Sequence, residues 1–359
     1  MTLIEKICRQ ISEVDPNVSI RVQHRLNQKT KPLRSLGRLE DLACEISSIR
    51  GLENPALPQK VIVVMAGDHG VVEEGVSAYP QEVTCQMVLN FAKGGAAINV
   101  LARQVGAKVV VVDMGMASPL PTLETILSRR IGSGTRNFTL GPAMTREQAL
   151  SAIEIGIQLV QQLHDEGTTL IGLGEMGIGN TTSSSALLSA LLEITPEEVT
   201  GYGTGIDSTT YARKIDAIKR AIELNAPNAT DPIDVLTKLG GFEIAGLVGV
   251  AIGCAAKKIP IVMDGFISSV AALLAVRIEP KVIDYLIASH RSVEIGHGVI
   301  LKLLKKKPLF ELDMRLGEGT GAALAMGWID ASLRILEEMA TFESAGVNNA
   351  GPKMQEKTS

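Results

Sequence analysis

One unit recurs along this chain and limits what it can fold into: a run of β-branched and other apolar residues, a glycine-rich loop, then a stretch of helical periodicity. KVIVVMAGDHG (60–70) is the first, with helical spacing resuming from about Gln81. KVVVVDMGM (108–116), TTLIGLGEMGIGN (168–180) and KIPIVMDGF (258–266) repeat it, and VIDYLIASH (282–290) is a weaker fifth case. Such runs do not alternate apolar with polar residues, so each strand must be buried on both faces, as when helices cover both sides of a parallel sheet. The alternation predicts a doubly wound α/β fold. In that architecture ligands bind beyond the carboxyl ends of the strands, where the strand order reverses. The glycine-rich loops fall at those ends, and the site is expected there.

The first 50 or so residues have a different pattern. Apolar and charged positions alternate at helical spacing, broken at Pro16 and Pro32, which predicts two or three amphipathic helices. After about residue 320 the chain returns to helix. The expected division is therefore residues 1–50 as N-terminal helices of a small domain and 51–319 as a large α/β nucleotide-binding domain. Residues 320–346 form a C-terminal helix joining the small domain, and the polar tail 347–359 is read as disordered.

Composition narrows the function. Aromatic residues are 3% of the chain, so the core must be built from aliphatic side chains and methionine. Net charge is −4 with scattered basic residues, and the run Lys305 to Lys307 has no aromatic interleaving, which argues against nucleic acid as a partner. Cys8, Cys44, Cys85 and Cys254 form no CxxC pair, so neither a disulfide framework nor a zinc site is suggested, and a reducing cytoplasm fits. The N-terminus lacks a signal-peptide apolar core. The longest uncharged apolar stretch, 244–256, is shorter than the ~20 residues of a membrane span and reads as a buried helix.

The strongest chemical signal is GLGEMGIGNTTSSSALLSALL (172–192). Glycines 172, 174, 177 and 179 precede Asn180, Thr181 and Thr182, and an apolar helix follows. A helix start offers unpaired N–H groups and a partial positive charge, which suits a phosphate. The same residues also describe a plain capped helix after a tight turn. No Walker lysine is present, and although Gly172, Gly174 and Gly177 match dinucleotide spacing, no ribose-binding acid can be placed, which disfavours an NAD-linked oxidoreductase. A second glycine-rich turn, GYGTGIDSTTYARK (201–214), enters a helix carrying Lys214, either a phosphate contact or a surface lysine. Asp68 and His69 follow the first strand, but the other histidines have no ligand spacing with them, so holding the loop is favoured over metal binding. Glu318 lies between Gly317 and Gly319 ahead of a helix that Thr320 is expected to cap. It is either a solvated anion at a helix dipole or a buried base of raised pKa, and the two effects oppose each other.

Taken in order, AGDHGVVEEGVSAYPQEVT, GLGEMGIGNTTSSSAL, GTGIDSTTYARK, MDGFISS, ASHRSVEIGH and RLGEGTGAALAM resemble the nicotinate-nucleotide–dimethylbenzimidazole phosphoribosyltransferases, which build the lower ligand of cobalamin. The resemblance runs from about residue 35 to 346. It implies a Rossmann-like sheet with a small domain made from both chain ends, small-molecule substrates, no metal or cofactor, no nucleic acid or membrane partner, and a homodimer. It also implies site roles. Glu318 resembles the base that takes the benzimidazole proton, and Glu175 a second acid near the reacting ribose. Gly177, Ile178, Gly179 and Asn180, the hydroxyls of Thr181 and Thr182, and Lys214 resemble the phosphate cradle. Gly203, Gly205, Gly265, Phe266, Ser292 and Arg315 resemble further nucleotide contacts, and Tyr79, Gln86, Met87 and Leu316 the walls of the base pocket. Some family members have Ser at Tyr79 and Gln at Met87, which implies that this chain holds its base by stacking and packing. Two rival functions follow: the same transfer to another azole, purine or phenolic acceptor, or a non-catalytic nucleotide-binding regulator.

Overall fold

A computed structural model describes residues 1–118, 123–203 and 205–349. Two compact units divide the chain, one of Met1–Ser12 with Gln59–Ala325, the other of Glu13–Pro58 with Met326–Ser359.

The larger unit is built on a six-stranded sheet: β1 Lys60–Gly67, β2 Lys108–Gly115, β3 Ile126–Ser128, β4 Leu170–Met176, β5 Ile261–Met263 and β6 Leu286–Ala288. The order is β3-β2-β1-β4-β5-β6, every pair parallel. This is the doubly wound arrangement expected, with the reversal between β1 and β4 at the centre. The uninterrupted apolar runs have a direct cause. Side chains alternate across a strand, and on β1 Met65 packs against Gly246 of helix Phe242–Ala256 while Ile62 packs against Gly319. Both faces of the strand are covered, so every position after Lys60 is buried and carries an apolar residue or glycine. The apolar 244–256 stretch is that helix, buried nearly throughout. It lies so close to helix Arg146–Asp165 that a Cβ on Gly156 or Gly249 would strike the facing backbone. No helix among the described residues is long and apolar enough to cross a membrane.

Two features differ from expectation. The short strand β3 was not foreseen; it lies at the sheet edge with half-exposed or exposed residues and lacks the apolar run that marks the others. Helix Leu3–Cys8 belongs to the larger unit rather than to a domain spanning 1–50. Ile4 and Ile11 are buried there, and the carbonyls of Ile11 and Ser12 accept hydrogen bonds from Lys281 Nζ and Tyr285 OH. The helical pattern does break before Pro16, which stands at the first turn of helix Pro16–Asn27, where its missing N–H costs nothing and the Asp15 carboxylate caps the Asn17 N–H.

In the smaller unit Val18, Val22 and Leu26 pack with Ala43 and Cys44 of helix Arg38–Arg50 and with Ile335 and Leu336. Lys29 Nζ donates to the Met339 carbonyl, which ties the N-terminal and C-terminal segments together within this unit. Helix Thr320–Glu338 begins in the larger unit and ends in the smaller. Residues 347–349 have no regular structure, and the rest of the tail read as disordered, 350–359, lies outside the described residues.

Candidate active site

At the carboxyl ends of β4, β5 and β6 the larger unit contains a cavity of about 610 Å³, within the usual size range for small-molecule sites. Its walls include Tyr79, Met87, Glu175, Gly177, Ile178, Asn180, Thr181, Gly203, Gly265, Phe266, Ser292, Arg315, Leu316 and Glu318.

One end is a helix start. Helix Asn180–Leu192 begins after Gly179, whose φ of +95° only glycine adopts at low cost. Gly177 has no room for a side chain, since a Cβ there would collide with the Gly67 carbonyl at the end of β1. The loop can therefore lie flat across two strand ends, and the Ile178 N–H is fixed by Thr84 Oγ1 at 3.0 Å. Lys214, on helix Ser208–Asn225, is 1% exposed. It is not a surface lysine: its Nζ lies behind the cavity wall and donates to Thr181 Oγ1 at 3.0 Å and to the Gly201 carbonyl at 3.4 Å. Burial lowers its pKa to about 8, opposed by the nearby Glu294 carboxylate.

The other end is a loop of three consecutive left-handed residues, Gly317 (φ +82°), Glu318 (φ +62°) and Gly319 (φ +88°). For a glutamate this backbone is uncommon and strained. Its carboxylate is not a solvated anion. Glu318 is 4% exposed, and Oε2 accepts the Ile98 N–H in the first turn of helix Ala97–Gln104 at 3.3 Å. Burial outweighs that hydrogen bond and raises the pKa. The loop lies against β4 because Gly174 and Gly319 meet there without side chains, a Cβ on Gly174 falling 2.5 Å from the Glu318 carbonyl oxygen. Glu175, next on β4, has Oε2 held by the Asn180 amide. Burial, with Asp264 and Glu243 nearby, pushes its pKa to about 8.

Several expected site residues lie off this wall. Thr182 is completely buried with its hydroxyl turned away; at 100° per residue, Asn180 and Thr181 face the cavity and Thr182 faces the core. Gly179 turns toward His69 and Val72, acting as the hinge of the helix start rather than as a wall. Gln86 is exposed on helix Glu82–Ala92, whose cavity face is Val83 and Met87, and Gly205 is exposed with no neighbour where a Cβ would sit.

Asp264, His290 and His297 were not anticipated at the site. Asp264, at the end of β5, accepts N–H groups from Gly319, Gly321 and Ala322, and so does the capping expected of Thr320, whose own hydroxyl donates to the Gly317 carbonyl. His290 lines the cavity with Nε2 3.7 Å from Asp264, and burial lowers its pKa. His297 accepts the Ser292 N–H at Nδ1 and pairs with Ser269 Oγ through Nε2, so it is the neutral Nε2–H tautomer that holds the Ser292 backbone in place. Burial depresses its pKa to about 3. His69 and Glu243 form a fully buried pair at 2.6 Å beneath the Gly177 loop. Asp68 instead accepts the Ala117 N–H, holding that loop. For Asp264 and His290 the sequence signal was the string each occupies, MDG and SHRSVEIGH, since their partners lie far away along the chain.

Known proteins resemble this chain in sequence and in fold. A family model described as phosphoribosyltransferase matches residues 11–347. A nicotinate-nucleotide–dimethylbenzimidazole phosphoribosyltransferase of Geobacter sulfurreducens is 52% identical, covering 97% of this chain and 99% of its own length. One of the same name from Halalkalibacterium halodurans is 51% identical, covering 98% of each. Among solved structures, the nicotinate-nucleotide-dimethylbenzimidazole phosphoribosyltransferase of Thermus thermophilus is 44% identical, with a TM-score of 0.88 over 94% of this chain and 100% of that one.

Proposed function

The chain belongs to this phosphoribosyltransferase family, and on that premise we propose that it transfers the 5-phosphoribosyl group of nicotinate mononucleotide to 5,6-dimethylbenzimidazole. The products are nicotinate and α-ribazole 5′-phosphate, formed with inversion at C1′ for assembly of the cobalamin lower ligand. Full-length relatives of that name at about half identity support the reaction. The observation that carries the assignment of roles is that one cavity contains both a helix start backed by a buried lysine and a buried carboxylate of raised pKa.

In this reading the nucleotide phosphate lies at the start of helix Asn180–Leu192, where N–H groups and Lys214 supply positive charge. Gly203, Gly265, Phe266, Ser292 and Arg315 line the remainder of the nucleotide site, and Tyr79, Met87 and Leu316 the base pocket. The pyridinium nitrogen of the substrate is already cationic. When the C1′–N bond breaks, its electron pair neutralises that nitrogen and nicotinate leaves without an acid, a metal or a cofactor. One benzimidazole nitrogen bonds to C1′ from the opposite face, positive charge builds on the azole, and the proton on its other nitrogen passes to Glu318. General-base catalysis of this kind contributes ~10²–10⁴ in rate. Holding two substrates in line contributes roughly 7–11 kcal/mol. Glu175, with a pKa of about 8, is protonated at neutral pH and serves beside the ribose as a neutral hydrogen-bonding group rather than as a base.

A reducing cytoplasm fits the four free cysteines, and a homodimer fits the half-exposed Trp328 on the C-terminal helix. The test is incubation with nicotinate mononucleotide and dimethylbenzimidazole. Equimolar nicotinate and an α-riboside phosphate are expected. Tight nucleotide binding without nicotinate release would refute the transferase reading, and sedimentation of a monomer at micromolar concentration would refute the dimer.

A further inference from the structure

The reaction proposed above uses Glu318, Glu175 and Lys214, and leaves without a role Asp264, a buried carboxylate just after β5 and next to the cavity residue Gly265. Asp264 is 2% exposed, and both of its oxygens are engaged: Oδ2 accepts from the Gly319 N–H at 3.1 Å, and Oδ1 from Gly321 at 2.6 Å and Ala322 at 3.2 Å. These are the residues that follow Glu318. A helix start needs acceptors for its first N–H groups, and here the acceptor comes not from the adjoining sequence but from the end of another strand, β5. Glu318 itself has the strained backbone of the turn, and such conformations persist only where the surroundings over-determine them.

We propose that Asp264 is the positioning residue for Glu318: by fastening the N–H groups on the far side of the left-handed turn to the sheet, it fixes where the basic oxygen meets the acceptor base. The inference rests on the base role given to Glu318. Burial and the neighbouring Glu318 raise the Asp264 pKa to about 7 despite three N–H donors. Glu175 on β4 and His290 after β6 also face it.

Asp264→Asn tests this, because the amide keeps one acceptor oxygen but turns a donor toward backbone donors. We expect kcat to fall about 10²-fold, the scale of a misplacement of about 1 Å, with little change in nucleotide KM. In the Glu318→Gln background the same change should cost no further rate, since one residue acts through the other. Amide exchange over 317–322 should accelerate, a readout that needs no turnover. Asp264→Ser, which keeps a smaller acceptor, is read by the same measurements if the asparagine variant does not fold. Additive losses in the double variant, a loss that falls on nucleotide KM rather than kcat, or unchanged exchange protection would overturn the proposal. Wild-type enzyme that releases no nicotinate would refute the proposed function instead, and the exchange measurement would still decide the role of Asp264.

Discussion

Replacing Glu318 with glutamine removes one charge and the proposed proton acceptor while keeping the side chain's size. The carboxamide oxygen can still accept the Ile98 N–H, and loss of a buried charge beside Asp264 relieves repulsion, so the variant should fold with an unchanged or slightly higher Tm. The rate loss follows from what remains to take the proton. Glu175 has a pKa of about 8 and is protonated at neutral pH, and both oxygens of Asp264 are occupied by backbone donors. Neither can substitute, which leaves water. We therefore expect the upper half of the general-base range, ~10³–10⁴ in kcat, or about 4–5.5 kcal/mol of barrier. Nicotinate release at saturating substrates measures it, with nucleotide binding by calorimetry as the control for an intact phosphate site. A kcat within tenfold of wild type, in a variant that binds the nucleotide normally, would refute the base assignment.

Glu175→Gln should make stability less dependent on pH. The folded-state pKa of Glu175 is raised, so the folded form binds a proton that the unfolded form has released, and stability falls as pH rises from about 4.5 toward about 8. The glutamine variant should gain on wild type across that window and be the more stable above it; parallel curves of Tm against pH would contradict this. Lys214→Met should raise nucleotide KM by about 10–100-fold through loss of a charge-assisted contact worth roughly 1.5–3 kcal/mol, with a smaller effect on kcat, and an unchanged KM would remove the lysine from phosphate binding. Gly174→Ala places a Cβ 2.5 Å from the Glu318 carbonyl oxygen, a backbone atom that cannot rotate away. It should cost about 1–3 kcal/mol of stability and displace the base, measurable together as a lowered denaturation midpoint and a lowered kcat.

How much of this was legible in the sequence depended on whether the responsible interaction was local. β1, β2 and β4 are long and buried on both sides, so their runs are uninterrupted and their loops predict where ligands bind. β3 is an edge strand of three residues with no burial to enforce a pattern, and it left no trace. The helix start after Gly179 was readable from its own residues, but helical geometry divides Thr181 from Thr182, and only packing shows which one faces the cavity. Lys214 and Glu318 illustrate the same limit in electrostatics. Each had an exposed and a buried reading, and what decides between them is cover supplied from distant parts of the chain: the Gly201–Gly203 loop over the lysine, β4 and the start of helix Ala97–Gln104 around the glutamate. Asp264 is the extreme case. Capping rules point to Thr320 because they consider only neighbours along the chain, yet a carboxylate 55 or more residues away meets the helix start more strongly than a hydroxyl. A turn that must hold a glutamate in a left-handed conformation gains from an anchor on the rigid sheet, since a local cap would move with the turn it was meant to hold.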